Sequence, residues 1–194
     1  VQATALWGDS AEVYQQRLQE AVDATDGMIL VYQEEPIAAV FCAAAGEKTE
    51  SAADVWGSKL PYLVSVDSPG GQDCSRYHGT VTMEQTAFVE TIKSKWPDAD
   101  FSDSPTAWFR DSHRTEVGSV MDVLTGSEVR QALGLNSANF KVKVEGENLV
   151  FTTVGYGHGV GMSQYGARYY AMDGQTYDQI LYHYYPGTQL QLQG

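Results

Sequence analysis

Basic charge is scarce in this chain. Its 194 residues hold 12 Lys and Arg against 25 Asp and Glu, a net charge of -13. Long-range electrostatics therefore disfavour a polyanionic partner, and nucleic acid is excluded as the expected one. Neutral glycan is compatible with such a surface, and solubility alone is an equally good reason for the charge. Long apolar runs are missing too, since none approaches the ~20 residues of a membrane span. Cysteine is nearly absent: Cys42 and Cys74 permit one disulfide or two free thiols, and no larger framework. The elbow of serine hydrolases is absent, because Gly161-Met162-Ser163-Gln164-Tyr165 lacks the closing glycine. The start, Val1-Gln2-Ala3-Thr4, has neither the basic nor the apolar segment of a secretory leader, so a removed leader or a late start is expected. There is no repeat, low-complexity tract or linker.

Hydrophobic residues make up 43% of the chain, enough for a sizeable core. Asp9 and Glu12 resemble a capping box, and Tyr14, Leu18, Ala21 and Val22 follow at helical spacing, which predicts a helix over 10–25. Met28 to Tyr32 and Ile37 to Ala43 read as a hairpin around Gln33-Glu34-Glu35-Pro36. Tyr62 to Val66 reads as a short strand, and Ser68 to Gly79 as a loop. Thr82 and Gln85 open a helix that Pro97 closes. Asp98 to Asp111 reads as an acidic loop and Val117 to Leu124 as a strand. Ser127 opens a helix that Gly134 stops. Phe140 to Val144 and Leu149 to Val154 form a second hairpin, and Thr176 with Gln179 opens a last helix before Pro186. Antiparallel hairpins packed with three to four helices give an α+β fold in a single domain, 1–194.

The densest signal is Gly155 to Ala167, where five glycines interleave with Tyr156, His158, Val160, Met162 and Tyr165. An ordinary strand interior does not tolerate this, because each glycine packs nothing. Read as extended chain, the segment puts Tyr156, His158, Val160 and Met162 on one face and bare backbone on the other. The bare face admits another backbone or a ligand. The expectation is a groove in which carbohydrate lies against the main chain with the imidazole at its rim. His158 reads as a donor to sugar or to a carboxylate, or as a tie between loops. Ser163, Gln164 and Tyr165 carry the same two readings, Ser163 also as an N-cap of a helix running to Met172. Thr49-Glu50 forms a second cluster, with Glu50 either a cleft carboxylate or a cap for a helical turn at 51–55. Trp56, Tyr62, Tyr156 and Tyr165 read as stacking platforms for sugar or as packed core. Cys42, Cys74, His78 and His113 are zinc-compatible types, with Cys74-x-x-x-His78 at a metal-pair spacing, against a disulfide or unbound side chains.

Gly157-His158-Gly159-Val160-Gly161-Met162-Ser163-Gln164-Tyr165-Gly166-Ala167 resembles the signature of the stage II sporulation protein D / LytB domain family. Ala21 to Leu30, Pro36 to Ala45, Thr49 to Val66, Gly126 to Phe140 and Ile180 to Thr188 fall in that family's order. The resemblance implies a peptidoglycan lytic transglycosylase that cuts the β-1,4 bond from N-acetylmuramic acid to N-acetylglucosamine and leaves a 1,6-anhydro end. It implies substrate contacts from His158, Ser163, Gln164, Tyr165, Tyr156, Thr49, Glu50 and Trp56. It implies peptidoglycan strands and other sporulation envelope proteins as partners, and an extracytoplasmic place at the cell envelope. No cofactor is expected, though some relatives carry zinc and Cys42 stands where many have histidine, which keeps zinc at Cys42, Cys74 and His78 open. Three departures stand out. Glu47 replaces an expected glycine, and Gly118-Ser119 stands where relatives often carry Gly-Arg. The family's catalytic glutamate belongs to a helix upstream of the matched region, so this chain reads as the later part of the domain, with the acid upstream of Val1. The alternative is a non-catalytic peptidoglycan-binding module of the same family.

Overall fold

The computed structural model describes residues 7–109 and 124–193. His113, Gly118, Ser119 and all but the end of the strand expected at 117–124 lie outside the described residues. The fold is α+β. The chain divides into two compact units, residues 1–37 with 189–194, and residues 38–188.

In the smaller unit a helix, α1 (Ala11–Ala24), precedes strand β1 (Met28–Tyr32). The expected capping box does not form: Ser10 is the N-cap and makes no side-chain cap bond. Only Ala11 of this helix is buried, and Leu18 and Val22 stay 54% and 61% exposed. β1 turns back into β2 (Glu35–Pro36) through Gln33 and Glu34, both at positive φ. Paired positive φ values match the twist of a tight hairpin. The hairpin is therefore shorter than expected, and the chain leaves it after the Ile37 N–H has donated to the Leu30 carbonyl at 3.1 Å. The other edge of β1 pairs with β8 (Gln189–Leu192), a strand not foreseen from the sequence.

The larger unit carries the core. Strands β4 (His78–Glu84), β5 (Phe140–Glu145) and β6 (Asn148–Val154) form an antiparallel sheet in the order β4-β6-β5. The β5–β6 hairpin matches the sequence reading. β4 corrects it: residues 78–84 were divided between a loop and a helix start. Thr80 and Thr82 are exposed and Val81 and Met83 half-buried, the alternation of an edge strand. Helix α3 (Gln85–Lys95) and helix α4 (Gly126–Leu133) contribute Phe88, Ile92 and Val129 to a core with Leu149, Phe151, Phe140, Trp108 and Leu124. Thr125, not Ser127, caps α4, in a complete capping box with Glu128. Residues 62–66 form no strand.

A second, two-stranded sheet positions the glycine-rich segment. Phe41–Cys42 (β3) runs parallel to Met162–Ser163 (β7), in the register Phe41 to Met162 and Cys42 to Ser163. Helix α5 (Gln164–Met172) starts directly from β7, and helix α6 (Tyr177–Tyr184) follows, opened by a Thr176–Gln179 capping box. A short helix, α2 (Ala52–Trp56), follows Glu50 and is capped by Ser51.

Candidate functional site: the glycine-rich loop and its rim

Residues 155–161 are not an extended strand. Gly155, Gly157, Gly159 and Gly161 all take positive φ, between 72° and 120°, and wind the chain into a loop. Isolated bridges tie it to three segments, Ala44 to Tyr156, Ser137 to Gly157 and Glu50 to Val160. The bare side of the loop is filled by the protein's own chain. A Cβ on Gly155 would come 2.8 Å from the Ala44 carbonyl oxygen, one on Gly157 would come 3.0 Å from Cβ of Cys42, and one on Gly159 would come 2.9 Å from Cγ of Glu50. Gly161 is the tightest, with its missing side chain directed into the Val40 carbonyl. The expected groove for sugar against naked backbone is thus corrected: the space that glycine opens is taken by residues 40–50.

The side chains between the glycines define what is accessible. His158 is half-buried. Its Nδ1 accepts the Val160 N–H at 3.1 Å, which leaves the proton of the neutral ring on Nε2. Burial pushes the imidazole below its ordinary 6.5; the Phe41 carbonyl opposes that shift and the charge of Arg130 adds to it. His158 is therefore neutral near pH 7, with its remaining N–H drawn to the Phe41 carbonyl. Trp56, 43% exposed, stands beside it with ring centroids 5.2 Å apart. These two residues, distant in sequence, form an aromatic rim. Tyr156 is half-buried, and its hydroxyl accepts from Arg76 Nη1 at 2.7 Å.

Other expected contact residues turn inward. Ser163 is fully buried, and its Oγ accepts the N–H groups of Ala45 and Gly166, both at 3.2 Å. It caps α5 and holds the 40–50 segment, and it lines no open surface. Thr49 is fully buried as well, accepting the Val66 N–H at 2.9 Å and donating to the Val64 carbonyl at 3.2 Å. Glu50 is 7% exposed, with its own N–H donating to the Gly159 carbonyl at 2.8 Å. Tyr165 packs against the small cluster of Ala44, Cys74 and Tyr77. Gln164 is exposed at the start of α5. Tyr62 accepts the Ala38 N–H at 3.3 Å.

Cys42 and Cys74 are buried and unbridged. Burial pushes the Cys42 thiol up to about 11; a backbone hydrogen bond from Gly159 opposes this and the nearby Glu50 charge adds to it. His78 is exposed on β4 and meets Tyr77 edge-on. Among the described residues no three His, Cys, Asp or Glu side chains gather to hold a metal ion, so Cys42, Cys74 and His78 do not form the zinc group left open by their spacing.

Sequence reasoning missed Arg76, Arg130 and Asn136. Arg130 Nε donates to the Asn136 carbonyl at 3.3 Å, Asn136 Nδ2 donates to the Arg76 carbonyl at 3.3 Å, and the same Asn136 carbonyl accepts the Gly157 N–H at 2.9 Å. Their only sequence signal was the helix stop at Gly134, which places Asn136 just beyond α4.

Relatives give the loop its context. The chain is 38% identical over 185 residues to stage II sporulation protein D of Bacillus subtilis (strain 168), and 36% identical over 185 residues to the protein of that name from Bacillus amyloliquefaciens. Each alignment covers 95% of this chain and 54% of the relative. Over the matched region the chain is thus similar to the stage II sporulation protein D proteins. An amidase enhancer of Bacillus subtilis (strain 168) is also similar, at 28% identity over 226 residues, covering 88% of this chain and 32% of that protein. No family model matches the chain. The chain spans about half the length of the two sporulation proteins, at 54%. Among the described residues no helix is long and apolar enough to cross a membrane.

Proposed function

We propose that this chain forms the glycan-holding part of a peptidoglycan lytic transglycosylase of the sporulation and cell-envelope type. The observation that carries the reading is the Trp56–His158 rim on the glycine-rich loop. An exposed indole offers an apolar face to the C–H face of a sugar ring. The neutral imidazole beside it adds a second ring face, its Nδ1 taken by the Val160 N–H and its remaining N–H drawn to the Phe41 carbonyl. Glu50, Thr49 and Ser163 support the loop from behind and fix the position of that ring.

The reaction needs one acid that protonates the glycosidic oxygen and groups that stabilise an oxocarbenium-like transition state. The sugar's own 6-hydroxyl then closes the 1,6-anhydro ring, so a single carboxylate serves first as acid and then as base. This reading assigns the acid to no residue of the matched region and gives Trp56 and His158 the binding and orientation of the strand. The relatives' names place such proteins in sporulation, which supports an envelope location and peptidoglycan as partner.

A second reading has its own support. A similar protein is named an amidase enhancer, a name that describes assistance to another enzyme. In that reading the rim binds wall glycan and no bond is cut. The deciding experiment incubates the full-length protein with purified cell walls and measures anhydro-muropeptide release. Release that falls at least about tenfold in Trp56→Ala and His158→Ala, a loss of the size one good contact supplies, supports the transglycosylase. Wall binding without release supports the binding module. Neither binding nor release overturns both.

A further inference from the structure

A cleft of about 270 Å³ opens beside the glycine-rich loop. Arg76, Arg130, Gln131, Asn136 and Tyr156 line it, and among the described residues no carboxylate does. In a chain of net charge -13, two cations facing one cleft without an acid run against the general surface. Among the described residues neither guanidinium is paired with a carboxylate; the ion pairs present use Lys48, Lys143 and Arg168.

Both arginines are held in place. Arg76 lies over the Tyr156 ring at 5.3 Å from its centroid and donates to the Tyr156 hydroxyl at 2.7 Å. Arg130 projects from α4 and spends Nε on the Asn136 carbonyl. Asn136 joins the two by donating to the Arg76 carbonyl. Among the described residues these bonds leave donors of each fork unused. A planar fork with fixed orientation suits a carboxylate, which it can bind through two parallel hydrogen bonds. Tyr156 lines the cleft and the Asn136 carbonyl accepts the Gly157 N–H at 2.9 Å, so the cleft adjoins the loop that carries His158.

We propose that this cleft is an anion subsite that takes a carboxylate carried by the glycan lying over Trp56 and His158. The inference rests on the glycan reading above. A single carboxylate on an otherwise neutral saccharide fits the cleft, whereas a polyanion meets the net negative field of the whole chain. Two sources carry this chemistry: the acid substituent of a sugar in the strand, and the terminal carboxylate of a peptide attached to it.

The test measures binding of three saccharides of equal length by calorimetry: a neutral N-acetylglucosamine oligomer, a peptide-free oligomer alternating N-acetylglucosamine with N-acetylmuramic acid, and the same oligomer bearing peptides. At least one acidic oligomer is expected to bind about tenfold tighter than the neutral one, as for a charge-assisted contact, with the advantage shrinking as salt rises. Preference for the peptide-free oligomer assigns the carboxylate to the sugar, and preference for the peptide-bearing one assigns it to the peptide. Arg130→Gln and Arg130→Lys are expected to reduce that advantage, the first to nothing, while leaving the neutral oligomer's affinity unchanged. The neutral oligomer also reports that each variant is folded. Equal binding of all three overturns the subsite and leaves the glycan reading standing. Absence of binding by any of them overturns both.

Discussion

The imidazole of His158 and the indole of Trp56 stand with ring centroids 5.2 Å apart and their planes tilted by 53°. A protonated imidazole quenches a neighbouring indole, so the pair reports its own titration. His158 is held below its ordinary 6.5, first by burial. Tryptophan fluorescence is expected to fall on acidification with a midpoint below 6.5, and His158→Gln is expected to abolish that step. Stability follows the same sign. The unfolded chain binds the proton at a higher pH than the folded one, so stability declines as pH falls from 6.5 toward the lowered value. Urea unfolding of both proteins across this range checks it, with a shallower acid slope expected for His158→Gln.

Gly161 tests the close approach of two backbones. Its φ is +72°, and an added Cβ would run into the Val40 carbonyl, which already accepts from Met162 N–H and Tyr185 Oη. Gly161→Ala is expected to cost about 2–4 kcal/mol by chemical denaturation, combining a left-handed side chain with a clash that cannot relax cheaply. Gly134, also at positive φ, has nothing within reach of a Cβ. Gly134→Ala is therefore expected to cost only about 1–2 kcal/mol, the conformational part alone.

Cys42 is expected to be inert to thiol reagents in the folded protein at pH 7. It is 4% exposed and its thiol is pushed up to about 11, so little thiolate is present. Labelling in denaturant should be complete within the same time. The raised value also predicts that stability falls as pH climbs from 9.0 toward about 11, because the unfolded chain releases this proton first.

Phe88 is fully buried and meets Trp108, Phe101, Phe109 and Phe151 at ring distances of 5.4 to 6.0 Å. Phe88→Ala is expected to destabilise the larger unit by about 3–5 kcal/mol, measured by denaturant unfolding.

Local rules made much of this fold legible. The β5–β6 hairpin and the Thr176–Gln179 cap carry short-range signals, and Gly134 stops α4 where it stands. What escaped was set by partners far along the chain. β8 pairs with β1 across the whole sequence, and Phe41–Cys42 makes a parallel pair with Met162–Ser163. β4 escaped because the Thr82 and Gln85 helix-start signal overlaps the end of the strand. At the site, the glycine spacing marked the loop correctly, but not whether ligand or backbone would fill its bare side; that depended on residues 40–50. Arg76 and Arg130 carried no pattern, since their cleft is built from a loop, a helix and the Tyr156 ring.

The bond from Ala45 N–H to Ser163 Oγ joins positions 118 apart. Contacts of such separation form late, since the intervening chain must close first. During synthesis, the segment from Val40 to Glu50 leaves the ribosome long before the glycines that cover it. The rim therefore has no counterpart on a half-made chain, and any cell-wall affinity it confers arises only after translation has passed Ser163.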